Sequence, residues 1–154
     1  MSIAFVIVSH SAKLAEGVVE LAQQMAKDVE FRAAGGTDDG GIGTSFDAIY
    51  SAVEELTEAG HQVVLLTDLG SADMTVEAVL EVVDGDVVRF CPGPLVEGAV
   101  AAAEYFLRMT TYAAATGDTL GKTAQTFAGI SSALNIGRLL SAAGRIPTGD
   151  LYEA

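Results

Sequence analysis

The sequence predicts an α/β fold: a doubly wound, mainly parallel, four-stranded sheet with helices on both faces. Two observations carry this prediction. Apolar runs rich in β-branched residues occur at 3–8 and 63–67, as expected of strands that are buried on both faces, and two further short strands are predicted at 29–33 and 87–91. A segment with apolar residues at helical spacing follows each run after a short polar connection, and this alternation favours parallel strands with right-handed crossovers.

The first strand is predicted at residues 3–8, where the sequence reads IAFVIV. Ser9, His10 and Ser11 interrupt the apolar run, and Ser11 stands where a helix N-cap belongs. The first helix follows from residue 12. Its apolar positions recur at helical spacing with charged residues between them: Leu14, Val18, Leu21 and Met25.

The second unit repeats this order, with a strand at residues 29–33 and a glycine-rich segment at 35–43. That segment lacks the patterns of nucleotide-binding loops, so we interpret it as a flexible rim. Residues 44–47 read TSFD, which matches a capping box that opens the second helix. The apolar face of that helix comprises Phe46, Ile49, Val53 and Leu56, and Gly60 ends the helix.

The third strand is predicted at residues 63–67 and the turn after it at 68–73. Apolar residues at helical spacing then indicate the third helix: Val76, Val79, Leu80 and Val83. A fourth strand at 87–91 ends at the chain break Pro92-Gly93-Pro94. The helix expected from residue 95 carries Val96, Val100, Ala103 and Leu107 at helical spacing.

The length of 154 residues suits one domain. Residues 1–119 hold 5 basic and 19 acidic side chains, whereas residues 120–154 hold three and two and are close to neutral. We therefore expect a domain at 1–119 and a C-terminal extension at 120–154. A docked helix, a swapped element that completes a dimer, and a linker all remain open for the extension.

The chain carries 21 acidic and 8 basic residues and a formal charge of −13. A surface this negative repels phosphate backbones and anionic lipids, which argues against nucleic acid and membranes as partners. The single Cys91 forms no internal disulfide and suits a reducing compartment. The N-terminus has no basic region before its short apolar run, so we expect a cytoplasmic protein.

Sites in open parallel sheets gather beyond the carboxyl ends of the strands. If the first and third strands are neighbours, His10 faces Asp68 across the switch point. A carboxylate that accepts the proton of one imidazole nitrogen leaves the other nitrogen with a free lone pair. Helix N-termini, including Gly70, and the hydroxyl groups of three residues surround this pair and would cradle a phosphate: Ser11, Thr44 and Ser71. These residues predict a histidine that accepts and hands on a phosphoryl group.

Simpler interpretations exist for the same residues. His10 is also a plausible turn residue, and Asp68 an ordinary cap of the next helix, although Ser71 and Asp73 compete for that capping role. His61 begins the third strand at the opposite end of the sheet and is interpreted as structural, and Cys91 as a core residue. No cluster has metal-ligand spacing, so neither a metal nor another cofactor is expected.

Four motifs, each beyond a predicted strand end, resemble those of the DhaM family, which is related to the mannose-family IIA domains. They read IVSHS at 7–11 with Leu14 and Glu16-Gly17 after it, IGT at 42–44, DLGSA at 68–72 and PLVEG at 94–98. The resemblance spans about residues 1–118 and implies the fold of the mannose-family IIA domains.

The resemblance also implies a phosphoryl relay. His10 would accept the group from the phosphocarrier HPr, which Enzyme I charges from phosphoenolpyruvate, and carry it on Nε2 while Asp68 orients the ring. The acceptor would be ADP held in DhaL, which works with DhaK to phosphorylate dihydroxyacetone. Domains of this kind form dimers, so a homodimer is expected.

Three alternatives remain. A IIA domain of a mannose-type sugar transporter would use the same His10 chemistry with a IIB protein as acceptor. A non-catalytic docking module would keep the fold, and its His10 would never be phosphorylated. Some relatives continue into fused HPr-like and Enzyme I-like modules, so the chain is either a single-domain form or a truncation. A response-regulator receiver is excluded, because it needs paired acids where this chain has Ser-His-Ser.

Overall fold

The computed structural model describes residues 2–104 and has the predicted α/β architecture. Four strands form one sheet in the order β2-β1-β3-β4, and every neighbouring pair is parallel. The elements follow one another as β1 Ser2–Ser9, α1 Ala12–Met25, β2 Glu30–Gly35, α2 Phe46–Glu58, β3 His61–Thr67, α3 Gly70–Leu80 and β4 Val88–Phe90. A fourth helix, α4, covers residues 95–104 of the described chain.

Helices cover both faces of the sheet, as predicted. One buried cluster joins α1 and α4 to the face of β1 that carries Phe5 and Ile7, and the other joins α2 and α3 to the face that carries Val6 and Val8. The side chains of residues 3–9 in β1 are all buried, which explains the unbroken apolar sequence at 3–8. The connections after β1 and β3 leave to opposite faces, so the switch point lies between these two strands.

The large apolar residues that recur at helical spacing in α1 are mostly exposed. Val18 is buried, but three others are about half exposed, at 42%, 48% and 50%: Leu14, Leu21 and Met25. The alanines Ala15 and Ala22 face the sheet instead. The position of Gly35 explains why a small residue stands at position 15. A Cβ at Gly35 would lie 2.9 Å from Cβ of Ala15 and 2.6 Å from the carbonyl oxygen of Ser11. The helix approaches the end of β2 too closely for large side chains.

Several predicted boundaries were wrong by a few residues. β2 runs to Gly35 rather than residue 33, and β4 comprises only Val88–Phe90. α3 begins at Gly70, inside the segment predicted as a turn. Ser45 rather than Thr44 is the N-cap of α2, and the third helical residue is then Ala48, so the predicted capping box does not form. Phe46, expected on the buried face of that helix, is 38% exposed.

Other local predictions are confirmed. Ser11 is the N-cap of α1, where its side chain accepts a hydrogen bond from the Leu14 N–H. Gly60, at a φ of 87°, follows the C-cap of α2. Within residues 2–104, no helix is long and apolar enough to cross a membrane. The expected extension at 120–154 and the position of Leu107 lie outside the described residues.

Candidate functional site

His10 and Asp68 meet at the switch point between β1 and β3. Each is the first residue after its strand, and the parallel register pairs Val8 with Thr67, so the two residues lie within one position of the same level of the sheet. Nδ1 of His10 lies 2.9 Å from Oδ1 of Asp68. The pairing inferred from strand order is therefore present in the structure.

Asp68 accepts four hydrogen bonds, two on each carboxylate oxygen. Oδ2 receives the Ser9 hydroxyl at 2.8 Å and the His10 backbone N–H at 2.9 Å. Oδ1 receives Nδ1 of His10 and the Leu69 backbone N–H, the latter at 2.7 Å. Burial raises the pKa of Asp68, but the hydrogen bonds from His10, Ser9 and Leu69 together outweigh it and hold the pKa below its ordinary value of 3.8. The group is a carboxylate at neutral pH.

The ionised carboxylate fixes the form of the His10 ring. Because a carboxylate only accepts hydrogen bonds, Nδ1 of His10 must carry the hydrogen between them. In the neutral ring the lone pair then lies on Nε2, 2.7 Å from the hydroxyl oxygen of Ser71, which donates to it. The His10 side chain is 18% exposed, and its contact with Ser71 lies at the surface. His10 therefore presents a nucleophilic nitrogen to solvent.

The N-terminus of α3 adjoins this nitrogen. Gly70 and Ser71 are the first two residues of the helix, and its N-cap, Leu69, makes no side-chain capping hydrogen bond. The first N–H groups of a helix lack partners within it and carry a partial positive charge, which favours an anion. Thr67 donates to Oδ1 of Asp73 at 2.6 Å and fixes this helical turn to the end of β3. Asp73 therefore lies in the first turn and does not cap the helix, contrary to expectation.

The other two predicted phosphate ligands have partners elsewhere. The hydroxyl oxygen of Ser11 accepts the Leu14 N–H at 3.3 Å. The Thr44 hydroxyl lies 2.8 Å from the Thr75 hydroxyl and joins the start of α2 to α3. Of the four predicted phosphate-binding residues, the structure thus brings Ser71 into contact with His10, with Gly70 beside it in sequence.

The glycine-rich segment is bonded to the turn that carries His10. Gly43 donates its N–H to the His10 carbonyl oxygen at 2.9 Å, and Gly36 donates to the Ser9 carbonyl oxygen at 3.1 Å. Gly36 has a φ of 82°, a conformation that disfavours other residues. This segment therefore extends the wall of the site on the β2 side.

Four exposed apolar residues stand close in the chain to residues of the site, and we call them the apolar rim. Ile42 is 79% exposed and precedes Gly43, and Leu69 is 60% exposed and follows Asp68. Met74, 71% exposed, is three positions after Ser71 and so shares its side of α3. The fourth member is Leu14, whose N–H bonds to Ser11. Exposed apolar groups that form one continuous patch are typical of a surface that contacts a partner.

The residues interpreted as structural lie away from this site. His61 is the first residue of β3, opposite Ser2 in the register, and so lies at the other end of the sheet. Cys91 is buried in the cluster beneath α1 and α4. Among residues 2–104 no group of three His, Cys, Asp or Glu side chains is arranged to hold a metal ion.

Sequence reasoning did not assign a role to Ser9 or to Thr75. Ser9 was considered only as part of the polar turn, yet its hydroxyl contacts Asp68 directly and its side chain is fully buried. A polar residue in the last position of an apolar strand, directly before a candidate histidine, was the available signal. Thr75 gave no signal, because its contact with Thr44 depends on how α2 and α3 pack.

Comparison with known proteins places this geometry in a family. The model of the EIIA-man family, described as the PTS system fructose IIA component, matches residues 4–116. The crystal structure of the protein of unknown function EF1359 superposes with a TM-score of 0.66 at 26% identity, covering 86% of this chain and 95% of that one.

Sequence relatives carry one shared name. The phosphoryl donor subunit DhaM of PEP-dependent dihydroxyacetone kinase 1 from Listeria innocua is 43% identical over 98 residues, which are 64% of this chain and 77% of the relative. The phosphotransferase subunit DhaM of the PTS-dependent dihydroxyacetone kinase from Lactococcus lactis is 44% identical over 105 residues, 67% of this chain and 81% of the relative. The DhaM of Escherichia coli is 42% identical, and 22% of its length is matched.

The match at residues 4–116 contains His10, Asp68 and the N-terminus of α3. Its extent, and the identities above 40% to relatives named DhaM, show that the chain belongs to the EIIA-man family and, within it, to the DhaM group.

Proposed function

We propose that this protein is a phosphoryl relay: Nε2 of His10 accepts a phosphoryl group from one protein and gives it up to another. The observation that carries the proposal is the pairing of Nδ1 of His10 with Asp68 at 2.9 Å. That contact directs the lone pair to Nε2, which lies beside Ser71 at the start of α3. The DhaM relatives are named as phosphoryl donor subunits, which supports the same role.

The transfer balances without a further reactant. The Nε2 lone pair attacks the phosphorus of a phosphorylated donor, the Nε2–P bond forms, and the bond from phosphorus to the donor atom breaks and leaves its electron pair on the donor. Nδ1 keeps its proton throughout, and the Asp68 carboxylate stabilises the positive ring. The N–H groups at the start of α3 and the Ser71 hydroxyl offer hydrogen bonds to the phosphoryl oxygens.

The DhaM relationship supports a particular donor and acceptor. We propose that HPr supplies the group and that DhaL-bound ADP receives it through its terminal phosphate oxygen, so that DhaL and DhaK phosphorylate dihydroxyacetone. The apolar rim would contact each partner in turn, and the net charge of −13 favours basic partner surfaces. A cytoplasmic location and a homodimer belong to the same proposal.

A second function is favoured by one specific observation. The matching family model is described as a PTS system fructose IIA component, which suits a domain that passes the same group to a IIB protein of a sugar transporter. The chemistry at His10 would be identical, so only the acceptor distinguishes the two functions. The identity of 42–44% to DhaM relatives favours the kinase.

The test is intact mass after incubation with phosphoenolpyruvate, Enzyme I and HPr. We expect an acid-labile gain of one phosphoryl group in the wild type and none in His10→Gln. This variant should remain folded because His10 lies in the turn beyond the carboxyl end of β1. The phosphorylated protein is then mixed either with DhaL, DhaK, ADP and dihydroxyacetone or with a IIB protein. If the group passes only to the IIB protein, the transporter function is favoured. If a competent HPr does not phosphorylate the wild type, the relay is excluded and the non-catalytic docking module remains as the function.

A further inference from the structure

We propose that Ser9 is a positioning residue of the site: its hydroxyl fixes the Asp68 carboxylate in the orientation that sets the tautomer of His10. The inference rests on the proposed function for its effect on transfer, but its effect on the ring is independent of any partner. Ser9 does not touch the imidazole ring; it acts through Asp68.

The burial of Ser9 calls for an explanation. Within residues 2–104 the buried polar side chains are three hydroxyl residues: Ser9, Ser45 and Thr67. A buried hydroxyl destabilises a fold unless it is hydrogen bonded, and an apolar residue would otherwise suit the end of a buried strand. Ser45 caps α2 and Thr67 holds Asp73, so each has a structural role. Ser9 is the one of the three that contacts Asp68.

The hydrogen bonds of Ser9 have only one consistent direction. The backbone N–H of Ser11 donates to Oγ of Ser9 at 3.0 Å, so this oxygen acts as an acceptor there. The hydroxyl proton is then directed to Oδ2 of Asp68 at 2.8 Å, because the carboxylate cannot donate. The Ser9 hydroxyl thereby links the backbone of Ser11, on the other side of His10, to the Asp68 carboxylate across the switch point.

The geometry of the carboxylate shows what this contact controls. Ser9 bonds Oδ2, while the ring of His10 bonds Oδ1. Apart from the ring itself, the hydrogen-bond donors to Asp68 are two backbone N–H groups and the Ser9 hydroxyl, the only side chain among them. Together with the His10 backbone N–H, which also bonds Oδ2, the Ser9 hydroxyl restrains rotation of the carboxylate plane and keeps Oδ1 in line with Nδ1. Without Ser9, one bond to Oδ2 is left, the carboxylate gains freedom, and the preference of the ring for a hydrogen on Nδ1 weakens.

The test compares Ser9→Ala with Ser45→Ala. Both variants remove a buried hydroxyl, but Ser45 bonds the Ala48 N–H and contacts neither His10 nor Asp68. The first readout is the ¹⁵N spectrum of the His10 imidazole in the unphosphorylated protein, which distinguishes a hydrogen on Nδ1 from one on Nε2. We expect the wild type and Ser45→Ala to hold the hydrogen on Nδ1 and Ser9→Ala to show a mixture of the two tautomers.

The second readout is the rate of phosphorylation by phosphorylated HPr as a function of HPr concentration. Loss of an orienting contact to a ligand or base typically costs tenfold or more in activity, so we expect Ser9→Ala to lower the maximal rate about tenfold with little change in the concentration that gives half of it. Ser45→Ala should leave both values unchanged. Ser9→Cys, which keeps the size of the side chain but donates weakly, should resemble Ser9→Ala and provides a second variant if the alanine variant does not fold.

A single Nδ1–H tautomer in Ser9→Ala or Ser9→Cys would overturn the proposal, as would equal loss of rate in Ser9→Ala and Ser45→Ala. A wild-type protein that HPr does not phosphorylate would overturn the proposed function alone. In that case the ¹⁵N spectra still decide whether Ser9 positions Asp68.

Discussion

Oδ1 of Asp68 lies 2.9 Å from Nδ1 of His10, although the two residues are 58 positions apart in the chain. The contact exists because β1 and β3 are parallel neighbours whose ends lie within one residue of each other. Four donors to one carboxylate fix its position more firmly than a single contact to the ring could. The orientation of the His10 ring is therefore set by contacts within this chain.

Removal of the Asp68 charge should slow phosphorylation without abolishing it. Asp68→Ala keeps Nε2 available but removes the acceptor that orients the ring, so we expect the rate of phosphorylation by HPr to fall about 10–100-fold. Asp84→Ala is the control, since Asp84 bonds the Asp86 N–H in the turn before β4. Full activity of the Asp68 variant in a rapid-quench measurement would show that the pairing is not needed.

The contribution of Asp68 to stability should depend on pH. Hydrogen bonds hold its pKa below 3.8, so the folded state favours the ionised form. A carboxyl group with a lowered pKa stabilises the fold above its unfolded pKa and loses this effect as the pH falls through the folded value. The difference in unfolding free energy between the wild type and Asp68→Asn should therefore shrink from pH 5 to pH 3, measured by urea denaturation. A constant difference over this range would contradict the assignment.

The close approach of α1 to β2 should make Gly35 intolerant of a side chain. A Cβ at Gly35 would lie 2.6 Å from the Ser11 carbonyl oxygen and 2.8 Å from Cα of Ala12, both backbone atoms. Gly35→Ala should lower the free energy of unfolding by about 1–3 kcal/mol. Gly17, in the middle of α1, has no atom within 4 Å of the same position, so Gly17→Ala should raise it by about 1 kcal/mol.

Urea denaturation of both glycine variants checks this pair. The opposite signs separate a steric effect at Gly35 from a general response of α1 to alanine. Equal stabilisation by both substitutions would mean that the end of β2 moves away from α1 without cost.

A polar residue in the apolar rim should weaken the encounter with HPr. Ile42→Ser removes an apolar contact beside Gly43 and leaves the His10–Asp68 pair intact, so we expect a several-fold rise in the HPr concentration that gives half-maximal phosphorylation, with little change in the maximal rate. Val82 is 61% exposed and lies just beyond the C-terminal end of α3, so Val82→Ser is the matched control. Equal kinetics for both variants would exclude Ile42 from the contact.

Local sequence was a good guide wherever the pattern is itself local. The buried strands, the N-cap at Ser11 and the stop at Gly60 all depend on neighbouring residues, and the structure confirms them. Helix faces were less predictable. The apolar pattern of α1 followed the large apolar residues, but Ala15 and Ala22 are buried, and Ala15 lies where α1 closely approaches Gly35.

The sequence by itself determined the α/β class, the polar turn that carries His10 and the carboxylate that follows the third strand. Hydrophobic periodicity and strand ends depend on residues that are neighbours in the chain, so they can be recognised without the structure. Only the tertiary structure decided that the Ser9 hydroxyl donates to Asp68, that Ser71 contacts Nε2, and that Thr44 bonds Thr75 instead of lying beside His10. The physical reason is distance along the chain. Each of these contacts joins side chains 31 or more positions apart, and its geometry depends on strand register and helix packing that no local pattern records.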